Sequence, residues 1–211
     1  MARIRINTIP IKDEIQSLGQ GQINPVYHLM GEDQYLQQMF SEKVSKQLFQ
    51  DEPVNKTVLI PDEMKSKDII DYLTAADLFS SKKLFLLRNP NGLKGKARDE
   101  FIEYCQRPIE GHILIIMNDE YGAKNKLLES LVKLFDPISC STPFESGMVQ
   151  WAKLFFKENG INHVSQGIIK SLVEIAGDSL NHLKNEIDKI AISAENDSDI
   201  KQSDIEQFTG W

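Results

Sequence analysis

The sequence predicts an α/β fold, in which a domain built on a mostly parallel sheet occupies residues 1–142 and a small three-helix domain occupies residues 143–211. Up to residue 141, short apolar runs typical of strands alternate with longer segments of helical periodicity. Parallel strands need long crossover connections, so this alternation indicates a sheet covered by helices on both faces. After Pro143 the strand-like runs stop and only helical patterns follow.

The elements of the first domain are bounded by turn and capping residues. Gly19 and Gly21 end the first helix, Asp33 is a predicted N-cap, and Ser66 is a predicted cap of a later helix. The segment His112 to Met117 is the most apolar strand candidate. In order, we predict a helix at 11–18, a strand at 25–30, a helix at 33–49, a strand at 57–60, a helix from 66, a strand at 83–88, a helix at 94–106, a strand at 112–117, a helix at 125–135 and a strand at 138–141.

The second domain is predicted from three helical segments at 146–159, 165–176 and 178–192, with Gly160 and Gly177 as stops. The apolar residues of the last segment recur at steps of three, four and three, which is the spacing of a packed helix pair; they are Leu180, Leu183, Ile187 and Ile190. Ser203 and Glu206 form a capping box that predicts one more short helix.

Composition limits the function classes. The formal net charge of −7 argues against binding of nucleic acid by bulk electrostatics, although residues 82–126 carry nine Lys or Arg against six Asp or Glu. The sequence has neither an apolar run long enough for a membrane helix nor a secretory signal. Cys105 and Cys140 fit no metal or redox spacing, so we expect free thiols and a cytoplasmic protein.

A search for catalytic patterns finds little. The first strand runs through Gly31-Glu32-Asp33 into a helix, where a nucleotide-binding loop would need glycines, a lysine and a hydroxyl, so we expect no ATP bound there. Lys96, with Asp119 and Glu120 at a strand end, imitates parts of an ATPase site. The four histidines are scattered and predict no metal site. We therefore expect a binding and positioning protein with no cofactor.

The connection before the strand at 83–88 carries the apolar pair Leu78-Phe79 between Asp77 and the polar run Ser80 to Lys83. Such a pair is either buried beneath the strand or exposed as an anchor for a partner. The residue pattern alone leaves both interpretations open.

Five segments in register carry a resemblance. VYHLMGEDQYL, TAADLFSSKKLFLLRN, GLKGKARDEFIEYCQRP, HILIIMNDE and GDSLNHLKNEIDKIAI together resemble the delta subunit of bacterial DNA polymerase III, the clamp-loader subunit that opens the sliding clamp. The resemblance implies an AAA+-like domain (the fold of P-loop NTPases) that lacks the phosphate loop, followed by a lid-type three-helix domain. It also implies a C-terminal collar domain, which we expect to be absent here because the chain ends at Trp211.

The resemblance also implies a site and partners. Asp77, Leu78 and Phe79 match the family's clamp-binding element, while Thr74 stands where similar clamp ligands carry Gln. The implied partners are the sliding clamp (the beta subunit), other loader subunits through the collar, and DNA within the assembly. The chain itself would be non-catalytic and would act in one assembly with the DNA-directed DNA polymerase, which is a nucleotidyltransferase. Without the collar domain, we expect the chain to be a monomer.

Two alternatives remain at this stage. One is a nucleotide-dependent α/β enzyme that uses Lys96, Asp119 and Glu120. The other is a structural scaffold in which Leu78 and Phe79 are buried and no clamp is contacted.

Overall fold

The computed structural model describes residues 6–75, 82–122 and 125–193. The chain divides into two compact units, one up to Ser141 and one from Thr142 onwards. The predicted short helix at Ser203 and Glu206 lies outside the described residues.

The first unit contains a parallel sheet of six strands in the order β1-β6-β2-β5-β4-β3. The strands are β1 (Ile9–Pro10), β2 (Val26–Met30), β3 (Lys56–Leu59), β4 (Lys83–Arg88), β5 (His112–Asn118) and β6 (Ile138–Ser139). The helices that connect them are α1 (Ile11–Gly19), α2 (Gln34–Phe49), α3 (Ser66–Thr74), α4 (Lys96–Gln106) and α5 (Lys126–Leu134).

Helices cover both faces of the sheet. Alternate strand residues, such as Val26 and Phe85, join a buried cluster with the apolar residues of α3, α4 and α5. On the opposite face, the ring of Tyr27 meets that of Phe40 on α2 edge-on, with centroids 5.2 Å apart. The central strands β2 and β5 are buried along their whole length, as expected of a sheet covered on both sides.

The second unit consists, in its described part, of the helices α6 (Glu145–Glu158), α7 (Gln166–Ala176) and α8 (Leu180–Ser193). The four apolar residues predicted to form the seam of the last helix are all buried; they are Leu180, Leu183, Ile187 and Ile190. Ser165 caps α7 by accepting a hydrogen bond from the Ile168 amide, and Gly177 ends that helix with φ 61°. The predicted fold class is therefore confirmed.

One element was missed and one local prediction was wrong. Strand β1 was not predicted, because two residues carry no periodicity and this strand exists only through its pairing with β6. Ser66 was predicted to cap α3, but the cap position is Lys65 and Ser66 is the first helical residue. The Ser66 hydroxyl instead accepts a hydrogen bond from the Lys94 amide at 3.2 Å, which a local pattern cannot reveal.

Candidate functional site

The connection between α3 and β4 contains the residues proposed from the sequence as a binding element. Asp77, Leu78 and Phe79 fall within positions 76–81 and lie outside the described residues. Thr74 is the last residue of α3 and is exposed, and its hydroxyl donates a hydrogen bond to the Ile70 carbonyl at 2.8 Å. Its hydroxyl is therefore engaged within its own helix.

Both ends of this connection are fixed to the sheet. On the helix side, Leu73 is fully buried and its carbonyl lies 3.2 Å from Nδ1 of His112 at the start of β5. A carbonyl can only accept, so Nδ1 is the protonated nitrogen of this ring. The His112 ring also meets the Phe85 ring edge-on at 5.4 Å.

On the strand side, the ammonium group of Lys83 donates to the Ala75 carbonyl at 3.3 Å, across the gap between helix and strand. Lys82 forms an ion pair of 2.6 Å with Glu52. The exit of α3 and the entry of β4 are thus held close together at the amino edge of the sheet.

The opposite, carboxyl edge of the sheet is where α/β proteins bind nucleotides. Gly31 follows β2 there with φ 138°, and a Cβ on it would lie only 2.4 Å from the carbonyl carbon of Cys140. The Asp33 carboxylate caps α2 by accepting from the Leu36 amide at 3.0 Å, as predicted. The helix start that would receive a phosphate is therefore occupied by the chain's own carboxylate.

A polar network joins this turn to the end of β5. The side-chain amide of Gln37 donates to the Gly31 carbonyl at 2.8 Å and to the Asp119 carboxylate at 3.3 Å. The side-chain amide of Asn89 donates to the other carboxylate oxygen of Asp119 at 3.0 Å. Among the described residues, the hydrogen-bond donors to this carboxylate are two neutral side-chain amides, one to each oxygen.

Lys96, the basic residue of the alternative nucleotide site, is engaged within its own helix. Lys96 is exposed at the first position of α4, and its ammonium group pairs with Glu100 at 2.9 Å. Within the described ranges, no group of three or more His, Cys, Asp or Glu side chains is placed to hold a metal ion. Cys105 and Cys140 are free and buried, and burial raises the pKa of each thiol to about 12, so both are unreactive thiols at neutral pH.

The sequence analysis did not predict the hydrogen bonds that Gln37 and Asn89 make at the carboxyl edge of the sheet. It also did not predict the bond that His112 makes at the amino edge. A signal existed for Gln37, because it is a polar residue between Leu36 and Phe40 on the apolar face of α2, and it is 2% exposed. No comparable signal marks His112 as a partner of Leu73, since the two residues are far apart in the chain.

Comparison with known proteins identifies a family. The family model described as DNA polymerase III, delta subunit, matches residues 27–142, which is more than half of the 211-residue chain. No curated protein matches the sequence. In the part of the chain that the structure describes, no helix is both long and apolar enough to cross a membrane.

Solved structures agree with this fold. The chain is similar to the Bacillus subtilis DNA clamp loader delta protein (YqeN), with a TM-score of 0.71, 19% identity and 93% of this chain covered. It spans 61% of the length of that protein. It also resembles the Thermotoga maritima RuvB Holliday junction branch migration motor, with a TM-score of 0.59 and 11% identity, covering 95% of this chain and 67% of that one. These likenesses confirm the AAA+-like fold.

Proposed function

This chain belongs to the DNA polymerase III delta subunit family, and on that premise we propose that it binds and opens a sliding clamp during clamp loading. The observation that carries the proposal is the family match itself, which includes residues 74–83. The proposal also holds that the chain acts in the bacterial cytoplasm as a non-catalytic part of the polymerase III assembly. Contacts with other loader subunits and with DNA belong to the same proposal.

The proposed contact is the apolar pair Leu78-Phe79. Burying each side chain in a pocket of the clamp would contribute roughly 1.5–3 kcal/mol before the costs of association. Asp77 and Thr74 would lie at the edge of this contact, with Lys82 and Lys83 beyond it. The fixed ends of the segment support this role, because a binding element held at its base loses less conformational freedom on binding.

The proposed mechanism needs no nucleotide in this chain. The clamp would be opened because the chain binds its open form more tightly than its closed form. The Asp33 cap and the Gln37–Asp119 contact support this view, since they occupy the edge at which a nucleotide would otherwise bind. ATP hydrolysis would then be a property of neighbouring subunits.

The test is a calorimetric titration of the cognate sliding clamp with the chain and with the double variant Leu78→Ala/Phe79→Ala. We expect the chain to bind and the double variant to lose at least a hundredfold in affinity, as hot-spot residues do. Phe144→Ala is the matched control, because it removes a Phe that is 89% exposed outside this segment. It should leave the affinity unchanged.

Equal melting temperatures of the chain and both variants are required for this interpretation. A double variant that binds as well as the parent would refute the anchor. A double variant that melts far below the parent would instead favour the scaffold alternative, in which both side chains are buried.

A further inference from the structure

A cavity of about 350 Å³ lies at the amino edge of the sheet, beside the first residues of β1, β2 and β6. Its volume falls within the range of small-molecule sites in proteins. The walls are largely apolar and include Ile9, Val26, Phe135 and Ile138. This edge is opposite the one where Gly31 and Asp119 lie, so the cavity is not a remnant of the nucleotide site.

One wall of the cavity carries His28, in the middle of β2. The side chain is almost completely buried, at 1% exposure, and neither ring nitrogen has a hydrogen-bond partner among the described residues. Burial lowers its pKa to about 4, so the ring is neutral at physiological pH and has one N–H donor and one acceptor nitrogen. Both ring nitrogens are shielded from solvent, so His28 contributes a neutral, closely packed part of the cavity wall.

A second wall carries Glu14 from α1, which is 8% exposed. One carboxylate oxygen of Glu14 accepts a hydrogen bond from the side-chain amide of Asn24 at 3.0 Å. Among the described residues, no basic side chain pairs with this carboxylate. Buried charges are usually compensated by an opposite charge, so this arrangement favours a cation in the cavity.

The charge of the lining supports the same conclusion. The other acidic residue of the lining is Asp136, which is exposed, and none of the described lining residues is Lys or Arg. A phosphate or carboxylate ligand would meet two carboxylates with no compensating charge. The cavity therefore discriminates against anions and favours positively charged ligands.

We propose that this cavity is a binding site for a small organic cation with an apolar or aromatic body, such as an amidine or a primary amine. The charged group pairs with Glu14, and the body packs against the walls formed by Val26, Phe135 and Ile138, close to His28. This site is independent of the proposed clamp contact, and its test does not involve the clamp.

Benzamidine is a suitable probe, and NMR titration of the intact chain is a suitable measurement. We expect benzamidine to shift the imidazole signals of His28 and the backbone amides at the start of β2. Benzamide, which has almost the same shape without the charge, should bind at least tenfold more weakly, and benzoate should cause no shift. This comparison uses the unmodified chain and so does not depend on the folding of any variant.

Two variants test whether the carboxylate of Glu14 is the group that binds the cation. Glu14→Gln should weaken benzamidine binding by tenfold or more, because a hydrogen-bonded charge pair is lost. Asp13→Asn is the matched control, since it removes one negative charge from an exposed position on the same helix. Its affinity should be that of the parent.

The proposal is overturned if benzamidine leaves the His28 signals unchanged, or if benzamide binds as tightly as benzamidine. Equal binding by Glu14→Gln and the parent, with both folded, would also overturn it. Shifts confined to residues outside the cavity would show that the cation binds to surface carboxylates instead, which contradicts the proposal.

Discussion

Gly31 shows how a single residue determines the carboxyl edge of this sheet. Its backbone is in a conformation with positive φ, and the backbone of Cys140 and Ser141 packs directly against its α-carbon. The Asp33 amide donates to the Cys140 carbonyl at 2.9 Å, so the turn and the end of β6 are bonded together. A side chain at position 31 would separate them.

We therefore expect Gly31→Ala to destabilise the fold by several kcal/mol, because rigid backbone atoms would clash with the new Cβ at 2.4 Å and the φ of 138° is strained for alanine. Urea unfolding followed by circular dichroism measures this change. Gly19→Ala is the control: no atom lies within 4 Å of its added Cβ, and alanine is favoured in a helix, so its stability should be equal or slightly higher. Similar stabilities of the two variants would refute this account of Gly31.

At the scale of elements, the end of α3 is the feature that links the fold to the proposed clamp contact. The helix has no side-chain cap at its N-terminus, and the Thr74 hydroxyl donates to the Ile70 carbonyl in its last turn. His112 reaches the Leu73 carbonyl from β5, and Lys83 reaches the Ala75 carbonyl from β4. The strands therefore determine where this helix ends and where the proposed clamp-binding segment begins.

We expect His112→Phe to lower the free energy of unfolding by about 1–3 kcal/mol, because the substitution retains a ring beside Phe85 but removes the N–H that faces the buried Leu73 carbonyl. Hydrogen exchange should become faster at the last turn of α3 and change less at α2. His163→Phe, at an exposed position, is the control and should change neither quantity. Unchanged exchange at α3 in His112→Phe would show that this bond does not fix the helix end.

At the scale of the whole molecule, the chain has the sheet and helices of a nucleotide-binding fold without the residues that bind a nucleotide. The Gln37–Asp119–Asn89 network joins α2, β5 and the end of β4 at the edge where the fold family binds its ligand. Two neutral side-chain amides therefore engage the Asp119 carboxylate in hydrogen bonds within the chain at this edge.

We expect a non-hydrolysable ATP analogue with magnesium, at millimolar concentration, to leave the melting temperature unchanged. A ligand present at a hundred times its dissociation constant would stabilise the native state by about 2.7 kcal/mol, which for a chain of this size raises the melting temperature by roughly 5 °C or more. An ATP-hydrolysing AAA+ protein in the same assay provides the positive control. A clear shift would revive the enzyme alternative based on Lys96, Asp119 and Glu120.

Features that depend on neighbouring residues could be predicted from the amino-acid sequence. The alternation of strands and helices, the Asp33 cap and the apolar seam of α8 were all predicted, and the structure contains them. Periodicity and capping act over a few residues, so they can be read from a short window. The resemblance to the delta subunit family, carried by five segments in register, was confirmed by the family match.

Features that join distant positions of the chain became visible only in the folded structure. Strand β1 exists because Ile9 and Ile138 pair, and the contact of Gln37 with Asp119 spans 82 residues. His112 below α3, and Glu14 and His28 around one cavity, are likewise brought together by the order of the strands. These pairings depend on which strands become neighbours, and that order follows from packing the whole chain, because no local pattern specifies it.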